Sequence, residues 1–111
     1  MELGKRENSL SVAQEKAVLV GVLLPNNGLD PHAPLGELRA LADTAGAEVV
    51  DGLMQKRAKP SAKTFLGKGK VQELKEMVAF HGADVVLFEN DLSPSQLANI
   101  EEIVEVKILD R

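Results

Sequence analysis

The chain has no cysteine, tryptophan or tyrosine, and only three phenylalanines among 111 residues. Without cysteine there is no disulfide framework, no thiol nucleophile and no thiolate metal site. With so few aromatic rings, a stacking platform for single-stranded bases has little to be built from. The longest apolar run, residues 17–24, falls far short of the ~20 residues a membrane-spanning helix needs. The polar, mixed-charge residues 1–14 lack the apolar stretch of a signal peptide. These absences lead us to expect a soluble, cytoplasmic protein with no membrane partner.

One further absence is local. From residue 52 to residue 72 there is no Asp or Glu, although the whole chain carries 17 acids and a net charge of -4. The same stretch holds Lys56, Arg57, Lys59, Lys63, Lys68 and Lys70. An acidic body with one cationic segment meets polyanions there and repels them elsewhere. A lysine-rich, solubilising loop has the same composition, so charge alone leaves both readings open.

What is present reads as a small α/β domain. A length of 111 residues suits a single core. Residues 16–24 (KAVLVGVLL) are almost wholly apolar and rich in Val, the mark of a strand covered on both faces. Leu35, Leu38, Leu41, Ala42 and Ala45 recur at helical spacing and end at Gly46, a helix-terminating position. A strand follows around Val49 and Val50. Val71, Leu74, Met77, Val78 and His81 mark a second helix closed by Gly82, and residues 83–88 form another buried strand. Ser93, Pro94 and Gln96 make a capping box, with Leu92 and Leu97 as its staple, for a third helix burying Leu97, Ile100, Ile103 and Val104. Residues 106–109 supply a last strand. Gly46-Ala47-Glu48-Val49-Val50 and Gly82-Ala83-Asp84-Val85-Val86 are near copies at two helix-to-strand junctions.

The alternation β-α-β-α-β-α-β predicts a small, open, mainly parallel four-stranded sheet with three helices and right-handed crossovers, in order 2-1-3-4. Residues 1–15 read as a flexible tail and residues 16–111 as the domain. Three helices cover two sheet faces thinly, so some apolar sheet surface is expected to remain for another segment.

The strongest candidate for chemistry is Gly67-Lys68-Gly69-Lys70. It is not a Walker loop, because one residue separates the glycines and Val71 follows Lys70; a G-x-G-x-x-G fingerprint fails at Gln72. What remains is a glycine turn at a helix entrance, whose N–H groups with Lys68 and Lys70 could receive a phosphate. Lys56, Arg57, Lys59 and Lys63 lie on its approach. His32 and His81 have no acid at metal-ligating or catalytic spacing and read as surface or boundary residues. Asp84, Glu89, Asp91, Glu101 and Glu102 fall near strand ends, where open α/β sheets bind ligands, but without a partner base or nucleophile. Glu101, Glu102 and Glu105 read as the solvated face of the last helix. No catalytic constellation and no metal set is expected.

Several motifs in order resemble one family. Gln55-Lys56-Arg57, Pro60, Thr64-Phe65-Leu66-Gly67-Lys68-Gly69-Lys70 and Glu73-Leu74 resemble the signature stretch of the HflX ribosome-associated GTPases. Ala45-Gly46-Ala47-Glu48-Val49-Val50, Leu92-Ser93-Pro94-Ser95-Gln96, Asn99-Ile100-Glu101 and Leu109-Asp110-Arg111 are similar to the same family's N-terminal domain. The resemblance runs from residue 16 to residue 111; Phe65 stands where relatives often carry Tyr. It implies the N-terminal domain of a GTP-binding protein whose GTPase domain, with its GTP and magnesium, lies outside this chain. It also implies the large ribosomal subunit as a partner, in splitting or rescuing ribosomes. Lys56, Arg57, Lys68 and Lys70 would then position the domain on RNA phosphates, with Gly67 and Gly69 shaping the turn and no bond broken. Two alternatives stay open: a module holding a nucleotide phosphate, and an interaction module that packs on a helical segment and the GTPase domain and regulates the latter.

Overall fold

The computed structural model describes residues 12–26, 29, 32, 33 and 35–111. Four strands, β1 (Lys16–Leu23), β2 (Glu48–Lys56), β3 (Val85–Phe88) and β4 (Lys107–Asp110), alternate with three helices, α1 (Gly36–Thr44), α2 (Lys68–His81) and α3 (Pro94–Val104). All pairings are parallel and the sheet order is β2-β1-β3-β4, as the alternation predicts. Strand β4 therefore forms the edge of the sheet beside β3, opposite the β2 edge.

The continuous apolar runs are explained by burial on both faces. Val18, Val20, Val22, Val86, Phe88 and Ile108 point into one core with Leu74 and Val78 of α2 and Ile100 and Val104 of α3. Ala17, Leu19, Val85 and Leu87 point the other way, into a smaller core with Leu38 and Ala42 of α1. Gly21 and Gly52 make room for this second layer. A Cβ on Gly21 would sit 2.8 Å from Leu35 Cδ2, and one on Gly52 3.1 Å from Leu35 Cδ1. At the start of β1 the β2 ladder shifts register between Ala17 and Val18.

Two expectations change. The sheet face under α1 is not open: Ala17, Leu19, Val85 and Leu87 are all at most 8% exposed. Among the described residues the exposed large hydrophobics are on helices, Leu41 at 50% and Phe80 at 84%. Leu41 leaves the predicted buried stripe because Leu38 and Ala42, four residues apart, set the line that faces the sheet. The second change concerns the tail, whose residues 1–11 lie outside the described residues. Val12 packs on the smaller core, and the Glu15 carbonyl accepts the Glu48 N–H at 2.8 Å. Glu15 Oε1 meets Lys107 Nζ at 3.0 Å. Residues 12–15 therefore belong to the domain.

The local chemistry of the helix ends follows the sequence. Ser93 Oγ accepts the Gln96 N–H at 3.1 Å while Gln96 Oε1 accepts the Ser93 N–H at 2.9 Å, a complete capping box. Gly46 and Gly82 both take positive φ, 87° and 62°, where a side chain would be strained.

Candidate nucleic-acid interface

The basic segment begins at the carboxyl end of edge strand β2 and runs through residues 57–67 into α2. Helix α2 starts at Lys68, three residues before the first apolar position of its stripe. The expected glycine turn is therefore a helix start: Gly67 is the N-cap residue in extended geometry, and Gly69 and Lys70 lie in the first helical turn. Extended geometry at the cap and helical geometry after it need no glycine, so the reason for Gly67 is space. Its N–H donates to Gln55 Oε1 at 2.8 Å. A Cβ there would lie 2.5 Å from Arg57 Nη1 and 2.9 Å from Gln55 Nε2, whereas one on Gly69 would meet open space. Gly67, having no side chain, supplies no cap hydrogen bond to the first turn of α2.

The loop is a built structure. Ser61 and Phe65 exchange two backbone hydrogen bonds of 3.0 Å, and Thr64 Oγ1 donates to the Leu66 carbonyl at 2.9 Å. Phe65 and Leu66 enter the main core, Phe65 with φ at 68°, a conformation rare for a bulky residue. Two side chains of α3 hold the loop from outside. Gln96 Nε2 donates to the Ser61 carbonyl at 2.8 Å, and Asn99 Nδ2 to the Lys63 carbonyl at 2.9 Å.

The cations on this frame separate into groups. Lys56 and Arg57 share a cleft of about 540 Å³ with Leu24 and Pro25. Lys63 and Lys68 share another, of about 420 Å³, between the loop and the α2–α3 face. Lys70 does neither: its ammonium pairs with Glu73 of its own helix at 3.1 Å. Arg57 is partly used within the loop, Nε donating to the Lys59 carbonyl at 3.0 Å. Lys56, Lys59, Lys63 and Lys68 form no ion pair among the described residues. Lys68 and Lys70 thus have different surroundings: Lys70 lies beside Glu73, three residues on, and Lys68 has no ion pair among the described residues.

His81 is a half-buried boundary residue, as expected, and it also has a partner. Its Nε2 lies 2.9 Å from Asp51 Oδ2, thirty positions away on β2. The Gly52 N–H and then His81 hold the Asp51 carboxyl below the usual carboxylate range. Asp84 Oδ2 accepts the Lys16 N–H at 2.9 Å and closes the start of β1. No group of three or more His, Asp or Glu among the described residues could hold a metal ion. None of the described helices is long and apolar enough to cross a membrane.

Comparison with known proteins now adds to this geometry. The family described as GTP-binding GTPase N-terminal matches residues 32–111. A GTPase HflX of Flavobacterium psychrophilum is 42% identical over 98 residues, covering 87% of this chain and 24% of that protein. The chain belongs to the HflX family, as its N-terminal domain. The GTPase HflX of Caldanaerobacter subterraneus subsp. tengcongensis is 37% identical over 109 residues, 98% of this chain and 25% of that protein. For the Escherichia coli GTPase HflX the figures are 37% over 99 residues, 89% and 23%. The chain thus spans about a quarter of the length of these HflX relatives. A solved GTP-binding protein of Sulfolobus solfataricus in complex with GDP has the same fold, with a TM-score of 0.59 at 19% identity, over 87% of this chain and 27% of that one.

The residues that sequence reading passed over in this HflX domain are Gln55, Gln96 and Asn99 as holders of the loop. Gln55 and Asn99 sit inside the family-like motifs, which is the signal that could have drawn attention to them. Gln96 was legible as a cap, but its second bond to Ser61 depends on packing across 35 residues of chain.

Proposed function

We propose that this domain docks an HflX-type GTPase on RNA of the large ribosomal subunit, by electrostatic contact between its basic loop and the phosphate backbone. The full protein on this reading is a GTPase that splits or rescues ribosomes in the cytoplasm, with GTP and magnesium held in a separate domain. The observation that carries the docking role is the set of Lys56, Lys59, Lys63 and Lys68. All four are exposed and unpaired among the described residues, on a segment without an acid that Gln96 and Asn99 pin to α3. Ammonium groups with no carboxylate of their own are the ones that release counterions from a phosphate backbone. Contacts of this kind fix register and orientation and read no bases, in keeping with the scarcity of aromatic rings.

The nucleotide-phosphate alternative has less to build on. The Gly67 N–H already serves Gln55, and Lys70 already serves Glu73. The regulatory alternative draws on Phe80, which leaves an aromatic ring 84% exposed on α2, away from the sheet. Intramolecular packing against a helical segment or a GTPase domain would engage that ring.

A gel-shift or filter-binding titration with purified large-subunit RNA tests the docking. Changing Lys56, Lys59, Lys63 and Lys68 together to Ala weakens binding by at least tenfold on this account. Equal affinity of that variant and the wild type overturns it.

A further inference from the structure

Strand β2 is a nine-residue edge, and among the described residues no strand pairs with its outer side. The bonds that face inward fix which groups face outward. The Glu48 N–H donates to the Glu15 carbonyl and the Arg57 N–H to the Leu23 carbonyl. By alternation, Val49 at one end and Met54 and Lys56 at the other turn their backbone groups outward. Gly52 does the same, and its N–H meets the neighbouring carboxylate, Asp51 Oδ1, at 2.8 Å. Two residues, Val50 and Asp51, stand between Val49 and Gly52 because the ladder with β1 shifts there: Ala17 faces Val49 and Val18 faces Asp51.

An unpaired edge of this length is a template for another strand. Proline and lysine commonly blunt such edges, and β2 has neither before Lys56. Its charges choose the partner. Glu48 and Asp51 lie in the first half, Lys56 and Arg57 at the end. Glu48, Lys56 and Arg57 form no ion pair among the described residues. Laid antiparallel on a copy of itself, the strand sets each half against its opposite; laid parallel, like charge meets like.

One antiparallel register joins all the outward groups. Val49 faces Lys56 of the second copy, Gly52 faces its Met54, and the two Leu53 residues meet on a twofold axis. Val50 and Asp51 together face Gln55 of the second copy, two residues against one, so the irregular half of each strand lies on the regular half of the other. Glu48 comes opposite Arg57 of the second copy, and symmetry makes this contact twice. The Gly52 N–H exchanges Asp51 for the Met54 carbonyl. Beside the acidic half of β2, a groove of about 440 Å³ runs between Asp51 and Glu73, Glu76, Met77 and Phe80 of α2. Glu76 adds a carboxylate to that side, and Phe80, 84% exposed, is apolar surface for a neighbour to cover. We propose that a second copy of this chain docks on the β2 edge in this antiparallel register, continuing the sheet across a twofold axis. The proposal is independent of the RNA contact, although Lys56 and Arg57 belong to both surfaces.

Sedimentation equilibrium of this chain over a concentration series, without RNA, tests it. The expected result is a reversible monomer–dimer equilibrium. Arg57→Glu sets like charges together in both symmetric pairs and raises the dimer Kd about tenfold. Adding Glu48→Arg to that variant exchanges the two charges and returns the Kd to near the wild-type value, a rescue that damage to the loop would not show. Met54→Pro removes an outward N–H without touching the ladder with β1, a position where an edge strand accepts proline, and abolishes the dimer. Circular dichroism establishes that each variant is folded; should one fail, the other still decides. A monomer at every concentration up to about 1 mM overturns the proposal. So does a dimer that folded Met54→Pro or Arg57→Glu leaves unchanged, or one that the folded charge exchange does not restore.

Discussion

Gln96 joins two structures with one side chain: its Oε1 accepts the Ser93 N–H at the start of α3, while its Nε2 donates to the Ser61 carbonyl 2.8 Å away in the basic loop. The capping box that starts the third helix therefore also anchors the segment carrying the lysines. The two roles can be separated. Gln96→Glu keeps the acceptor for Ser93 and removes the donor to Ser61, whereas Gln96→Ala removes both. We expect Gln96→Ala to cost about 1–2 kcal/mol in denaturant unfolding. Both variants should speed amide hydrogen exchange at Ser61 and Phe65. Unchanged exchange in both would show that the loop is held without Gln96.

The two glycines of the signature stretch should respond oppositely to alanine. At Gly67 a Cβ runs into Arg57 Nη1 and Gln55 Nε2, the mobile ends of long side chains, so the cost is the displaced Gln55 bond, about 1 kcal/mol. At Gly69 the space is open and the backbone helical, so alanine should stabilise by about 0.5–1 kcal/mol. Urea midpoints of the two variants check this, and a destabilising Gly69→Ala would contradict it.

Acid should weaken the tie between β2 and α2. Asp51 has its folded-state pKa depressed, first by the Gly52 N–H and then by His81. A depressed carboxylate gives stability that is present above its unfolded value and lost as pH falls through its folded one. The loss therefore belongs below about pH 4. The Asp51 side chain is 40% exposed, so solvent screening keeps the size of this effect well under 1 kcal/mol. Thermal unfolding of Asp51→Asn should lie below wild type at pH 6 and converge with it near pH 2. A gap that stays constant down to pH 2 would remove the account.

Leu74 is fully buried between α2 and the sheet, and Phe80 on the same helix is 84% exposed. Leu74→Ala should cost about 2–5 kcal/mol, and Phe80→Ser should stay within about 0.5 kcal/mol. If Phe80→Ser is as damaging as Leu74→Ala, the orientation of α2 is wrong.

Much of the architecture was readable because its causes are local. Val18, Val20 and Val22 alternate with Ala17 and Leu19 across a sheet buried on both faces, which is why the run from residue 16 carries no polar alternation. Ser93 with Gln96, and the glycines after α1 and α2, announce helix ends through chemistry confined to a few residues. The site was readable only as charge. Composition placed six cations together, and the i, i+3 spacing of Lys70 and Glu73 was open to reading, but neither could show that Gln55 takes the N–H of Gly67 or that Phe65 turns into the core at positive φ. Those depend on where side chains meet after folding. The Glu89–Arg111 pair is of the same kind, since Arg111 reaches its partner only once β4 lies beside β3.

The central claim is that unpaired lysines of the loop meet phosphates, and the salt dependence of RNA binding tests it most directly. With four phosphates neutralised, log affinity against log salt concentration should fall with a slope of about −3 to −4. Each single change of Lys56, Lys59, Lys63 or Lys68 to Ala should flatten that slope by about 1, while Lys70→Ala should leave it nearly unchanged. A slope near zero, or one that the four lysines do not alter, would contradict the account.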